Sequence, residues 1–231
     1  MKRSAASGFL QPAPRDPLPP LVSHNTTRLT LVRHGRVQNP EKIVYGRLPG
    51  FGLSRRGRFE AGCAARALSS EPLAAIYASP LLRAKQTAAA IQAYHPHLKV
   101  HTSRLLTEVC GPFEGQSKKV VDALGGDTYT GAVPPCEQPR DIIRRVQQFI
   151  YRIRKKFAGR QVAAVTHGDV ITFTLLWASA LPPTPELKHS LSAVGLSDPY
   201  PAMASMSTLV YRTLAVDERP LILYKRADCR P

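Results

Sequence analysis

The stretch LTLVRHGRVQNP, residues 29–40, decides how the chain is read. Its first four residues suit any buried strand. It then sets Arg33, His34 and Gly35 side by side, where the strand gives way to a glycine turn. Open α/β sheets bind ligands at the carboxyl ends of their strands, so a basic pair at such an end marks a candidate site. A second stretch, RQVAAVTHG at residues 160–168, repeats the device with Thr166, His167 and Gly168. In a parallel sheet both strand ends lie on one edge, and two distant imidazoles then face one cleft.

Further runs deliver to the same edge. LAAIYAS (73–79) reads as a short buried strand, and the helix after it carries Arg83 one turn in. The strand-like VHTSRLL (100–106) leads into a loop with Glu108. Each of these residues taken singly is more often a packed or solvated side chain than a functional one. Their convergence on one rim carries the signal.

The remaining pattern alternates strand and helix. LSRRGRFEAGCAARALSS (53–70) predicts a helix with Ser54 as N-cap and Phe59, Cys63, Ala64, Ala67 and Leu68 on its apolar face. The next helix is expected over residues 79–95, with Ser79 as N-cap and Pro80 at the first helical position. Residues 118–139 are rich in Gly and Pro and predict loop with a helical turn or two. RDIIRRVQQFIYRIRKKF (140–157) is the clearest helix: Ile142, Ile143, Val146, Phe149, Ile150, Ile153 and Phe157 recur on one face. Arg144, Arg145, Arg152, Lys155 and Lys156 are expected opposite. Residues 170–181 continue as helix, and 205–214 and 220–227 as two closing strands. The alternation predicts an α/β fold, a three-layer α/β/α sandwich on a mainly parallel central sheet.

Composition narrows the classes. The chain has 231 residues, which suits one domain with or without a tail. Residues 1–27 are basic and proline-rich and read as a disordered tail, with the folded domain over 28–231. The tail lacks an apolar secretory core; its basic, serine-containing composition leaves organelle targeting as the alternative, against which its prolines argue, since a transit peptide needs an amphipathic helix. No apolar run is long enough to span a membrane. Cys63, Cys110, Cys136 and Cys229 show no paired spacing, so no metal site and no disulfide framework is expected; free thiols place the chain in the cytoplasm. The net charge of +16 attracts anions, whether phosphorylated small molecules or nucleic acid, although no nucleic-acid motif is visible.

The blocks LVRHG, YASPLLRAKQTA (77–88), LTEVCGPFEG (106–115) and VTHGDVI (165–171), in this order, resemble the histidine phosphatase superfamily, in its phosphoglycerate mutase-like branch. YGRLPGFGLSRRGRFEA (45–61) is similar to that family's loop and helix after the first motif. The resemblance implies a phosphoglycerate mutase-like fold and a metal-independent, cofactor-free phosphatase. It implies His34 as the nucleophile that becomes a phosphohistidine, with Arg33, Arg83 and His167 around the phosphoryl group. Glu108 would be the proton donor and Asn39 a further substrate contact. The substrate would be a phosphorylated small molecule.

Three departures accompany it. Arg36 stands where the family often has an acidic residue, which points to a more anionic substrate. Asn39 follows the nucleophile one residue early. The FEG of the acid loop also comes one residue early, which makes Glu114 a second candidate acid. The connection between Glu114 and the basic helix is short for a closing lid and favours hydrolysis over mutase-type transfer. A basic nucleic-acid-binding or regulatory protein on the same fold is the alternative from another class.

Overall fold

The computed structural model describes residues 26–227. The expected tail lies almost wholly outside them, as does Cys229. The elements in chain order are β1 Thr27–Arg33, α1 Arg55–Leu68, β2 Leu73–Ala78, α2 Leu82–Gln92, β3 Val100–Thr102, α3 Lys118–Ala123, α4 Pro139–Lys156, β4 Gln161–Thr166, α5 Gly168–Ala178, β5 Met206–Tyr211 and β6 Leu221–Lys225. They form one six-stranded sheet in the order β3-β2-β4-β1-β5-β6. The first four strands run parallel; at one side β5 pairs antiparallel with β1 and β6 antiparallel with β5.

β4 is buried along its whole length, as a strand covered on both faces must be. Its side chains alternate between layers. Val162 and Ala164 pack with α4 and α5 through Phe149, Ile150, Ile171 and Phe173. Ala163 and Val165 turn the other way, onto Ala64, Leu68, Ala84 and Ala88 of α1 and α2. This is the expected three-layer α/β sandwich with a mainly parallel sheet. Every apolar residue expected on the face of α4 is buried. Among the described residues Cys63, Cys110 and Cys136 are free thiols, and no helix is long and apolar enough to cross a membrane.

Local details differ from the sequence reading. Phe59 is 58% exposed, and Glu60 takes the buried place beside it, accepting the Arg36 backbone N–H at 2.8 Å. Helix α2 begins at Leu82 with Leu81 as N-cap; Pro80 lies before it, and the buried Ser79 hydroxyl accepts the Leu81 N–H at 3.4 Å and also meets a second partner described below. Arg145 is not on the solvated face of α4. Its guanidinium is held by Glu137 at 2.8 Å and by the Leu105 carbonyl at 2.8 Å.

Ser54 caps α1 as expected, its hydroxyl accepting the Gly57 N–H at 3.0 Å. The cap brings the helix start against the turn after β1. A Cβ on Gly57 would sit 1.9 Å from the Arg36 carbonyl oxygen, and one on Gly35 would sit 2.3 Å from that of Gly57. Both obstacles are backbone and cannot yield cheaply. Gly57→Ala should therefore destabilise the protein by about 1–3 kcal/mol, the usual range for overpacking. Chemical denaturation measures it, and an unchanged midpoint would contradict the close approach.

Candidate active site

Parallel pairing of β1, β4 and β2 sets three strand ends level. Arg33 lies opposite Thr166, and Ala78 opposite Val165. The chain stays in register one residue further: His34 N–H donates to the Thr166 carbonyl at 3.1 Å and Ser79 N–H to that of Val165 at 2.9 Å. His34, Ser79 and His167 therefore meet on one rim. The imidazole centroids of His34 and His167 are 5.1 Å apart, and both rings are 1% exposed or less.

The hydrogen bonds of His34 fix its tautomer. Nδ1 lies 2.8 Å from the Gly35 carbonyl, which can only accept, so Nδ1 carries the proton. Nε2 is left with a lone pair, and Arg83 Nε donates to it at 3.2 Å. Burial, then the charges of Arg83 and Arg33, hold the His34 pKa well below the ordinary histidine range. His167 is lowered in the same way, by burial and then by Arg83. Both imidazoles are neutral at neutral pH.

Arg83 is fully buried. Its Nη2 donates to the Gly46 carbonyl at 2.8 Å and lies 3.8 Å from Glu108 Oε2, and its guanidinium covers the Tyr45 ring at 4.7 Å. Arg33 donates from Nη1 to the Pro201 carbonyl at 2.5 Å and stacks over Tyr200 at 4.9 Å. Glu108 Oε2 lies 3.5 Å from His167 Nδ1, and Oε1 accepts the Val109 N–H at 3.0 Å. Burial pushes the Glu108 pKa up, and the Asp169 charge pushes it further. The structure thus brings together Arg33, His34, Arg83, Glu108 and His167. Among the described residues, Arg33 Nε and His167 Nδ1 are buried without a hydrogen-bond partner. Both stand beside His34 and Glu108, where they can donate to an oxyanion.

Beyond Glu108 opens a cavity of about 230 Å³ lined by residues of the 39–46, 108–121 and 169–188 segments. Asn39 lies on its wall, yet its amide is closed on the Ile43 backbone through Nδ2 at 2.9 Å and Oδ1 at 3.2 Å. Glu114 is also on the wall and accepts the Arg47 N–H at 2.8 Å, which ties it into the loop. Arg36 faces away. It is mostly exposed and approaches Glu60 at 3.7 Å, so it adds no charge to the cavity.

Several residues of the site carry no signal in the two His-Gly motifs. Ser79 Oγ lies 2.8 Å from His167 Nε2 and orients that ring. Asp169 gathers the hydroxyls of Tyr129 at 2.5 Å and Tyr200 at 2.6 Å and the ammonium of Lys188 at 2.9 Å. Burial raises the Asp169 pKa, but Lys188 and the two hydroxyls hold it below the ordinary aspartate range. Gly168 is required here, since a Cβ would sit 2.0 Å from the Tyr200 oxygen. Arg47 Nε holds the Glu108 carbonyl at 2.7 Å, and Glu137 pairs with Arg47 at 2.7 Å.

His34, Glu108 and His167 each offer a ligating atom within 4.8 Å of the others. The donor set does not suit a cation. Arg83 Nε already lies 3.2 Å from His34 Nε2, and two guanidinium charges beside the cluster repel a cation. The same arrangement suits a phosphoryl or other oxyanion.

Comparison with known proteins agrees with that chemistry. A mycobacterial glucosyl-3-phosphoglycerate phosphatase has a similar structure, with a TM-score of 0.71 over 88% of this chain and 100% of that one; at 23% identity the likeness is one of fold. An uncharacterized protein of Mycobacterium tuberculosis strain H37Rv is 38% identical over 148 residues, 61% of this chain and 73% of that protein. The fructose-2,6-bisphosphatase TIGAR of Xenopus laevis is 44% identical over 124 residues, half of this chain and 45% of that one. The sequence pattern of the histidine phosphatase superfamily (branch 1) matches residues 29–198, a span that runs from β1 past α5 and takes in every residue of the rim, so the chain belongs to that superfamily.

Proposed function

We propose that the protein hydrolyses a phosphate monoester through a phosphohistidine at His34. The observation that carries the reading is the Nδ1–Gly35 bond, which leaves His34 Nε2 with a lone pair approached by Arg83 Nε at 3.2 Å, on the rim that also holds the orphaned Arg33 Nε and His167 Nδ1. A phosphoryl group placed there accepts from Arg33 and Arg83. It also accepts from His167 in the tautomer with Nδ1 protonated and Nε2 accepting from Ser79.

In the first step Nε2 attacks phosphorus and the bond to the ester oxygen breaks. Glu108, whose pKa is raised by burial and then by Asp169, gives its proton to the departing alkoxide. In the second step water attacks the phosphohistidine, the P–N bond breaks, and the Glu108 carboxylate takes the water's proton. Nothing in either step requires a metal. The short connection from residue 114 to α4, whose one helix is the six-residue α3, supports release to water over return to the substrate. We assign Asn39 to the cavity wall and Glu114 to loop support. A phosphate-ester panel with phosphate release as the readout, and acid-labile, base-stable labelling of the enzyme, tests the reading. Absence of both would refute it.

Arg83 should be intolerant of replacement. Arg83→Lys keeps the charge but loses the planar fork that meets Nε2, the Gly46 carbonyl and the phosphoryl oxygens. We expect kcat to fall by about 10²–10³, as for a lost oxyanion donor. Steady-state rates near wild type would argue against a bidentate contact.

A further inference from the structure

We propose that the leaving group is a compact, uncharged alcohol with an apolar face, so that the substrate carries one phosphate and no second anion. This rests on the phosphatase reading, since it names what occupies the cavity beside Glu108. The cavity's inner end is Tyr45, Gly46 and Glu108, the residues that touch Arg83 and His167. An ester oxygen within reach of Glu108 therefore directs its carbon substituent into this space.

The wall there is mainly apolar: Ile43, Val44, Tyr45, Val109, Phe113 and Val121. At about 230 Å³ the space lies below the range of about 300–1,000 Å³ that holds drug-sized ligands, so the part of the group seated in it is one small ring or chain. Much of the polar wall is spent on itself, with the Thr128 hydroxyl left to meet a neutral group. The Asn39 amide is closed on Ile43, and Glu114 on Arg47.

Charge decides against a second anion. Two lysines reach the cavity, and each already has a carboxylate: Lys188 has Asp169 at 2.9 Å and Lys118 has Asp122 one helical turn on. Arg47 is committed to Glu137 and the Glu108 carbonyl. Glu114 brings to the same wall a carboxyl group with no ion-pair partner among the described residues, while Glu108 serves as the acid and Asp169 is matched by Lys188. A carboxylate or second phosphate would be desolvated beside them and beside apolar side chains without a free cation, an arrangement that rejects charge. The unpartnered Arg33 Nε belongs to the phosphoryl end.

The test uses matched esters on the wild-type protein. 4-Carbamoylbenzyl and 4-carboxybenzyl phosphate differ in charge and hardly in size. Benzyl phosphate and glycerol 3-phosphate differ in the apolar ring. We expect kcat/KM to favour the carbamoyl ester over the carboxylate by at least about tenfold, and the benzyl ester over glycerol phosphate by about 10–200-fold. Phe113→Ala should shrink the second ratio mainly through KM. Calorimetric binding of the same four esters to the His34→Ala protein reads the cavity without turnover. Equal or better kcat/KM for the carboxylate overturns the inference while leaving the reaction intact. If no ester is turned over, tighter binding of the uncharged ester upholds the cavity's preference and removes the phosphatase reading. Binding without preference removes both.

Discussion

His34→Ala should lower kcat by on the order of 10⁵–10⁶, the scale of a lost nucleophile in an enzyme that works through a covalent intermediate. No neighbour can take over. His167 Nε2 is bound to Ser79 Oγ, and its Nδ1 faces Glu108. Labelling by a radioactive phosphate donor should vanish in the same variant. The fold should persist, because the sheet pairing that positions residue 34 is backbone to backbone. A second readout separates chemistry from folding. Because His34 and His167 are held neutral by burial, the unfolded chain binds more protons than the native one below the ordinary histidine pKa. Stability therefore falls as pH drops below about 6.5. His34→Ala removes one of the two contributions, so its denaturation midpoint should depend less steeply on pH in that window. Turnover by His34→Ala near the wild-type rate would end the mechanism.

Glu108→Gln should slow hydrolysis of an alkyl phosphate by about 10²–10⁴, the usual worth of a general acid. An alkoxide is strongly basic and leaves only with a proton. p-Nitrophenolate leaves readily without one, so p-nitrophenyl phosphate should be affected only mildly. The pH profile carries the same information. Burial and then Asp169 raise the Glu108 pKa, so the acid form persists above the ordinary glutamate range and is lost as pH rises through the raised value. The alkaline fall of kcat/KM on the alkyl ester should therefore disappear in Glu108→Gln. Glu114→Gln should show neither effect, since Glu114 holds the Arg47 backbone rather than facing the imidazoles. If the leaving-group dependence appears in Glu114→Gln instead, the acid has moved along the loop.

The rim was legible because its parts are local motifs on a regular frame. Strand, histidine and glycine occur together twice, and parallel pairing places both at one edge without further information. The same frame predicted the helix after β1, its Ser54 cap and the apolar face of α4. What escaped depends on contacts between distant segments. Ser79 resembles a helix cap in sequence, but the ring of His167 lies 2.8 Å away and claims its hydroxyl. Arg36 resembles a pocket charge, but the buried Glu60 draws it onto α1. Arg145 falls on the polar side of an amphipathic helix, yet Glu137 from the preceding loop turns it inward. Asp169 directly follows a motif glycine, but its three partners come from residues 129, 188 and 200, and no spacing announces them. Helical periodicity also misplaced Phe59: the face that α1 buries runs through Gly57, Glu60, Ala61, Ala64 and Leu68, and Phe59 lies off it.

The frame and the wall come from different parts of the chain. His34, Ser79 and His167 stand on strand ends whose positions the sheet register dictates. Most of the cavity wall comes from two irregular connections, one between β1 and α1 and one between β3 and α4. Irregular connections tolerate exchange and insertion far better than central strands do. A chain built this way can inherit the histidines that handle phosphorus and revise much of what is attached to it, with Glu108 the one reacting side chain that stands on the revisable wall.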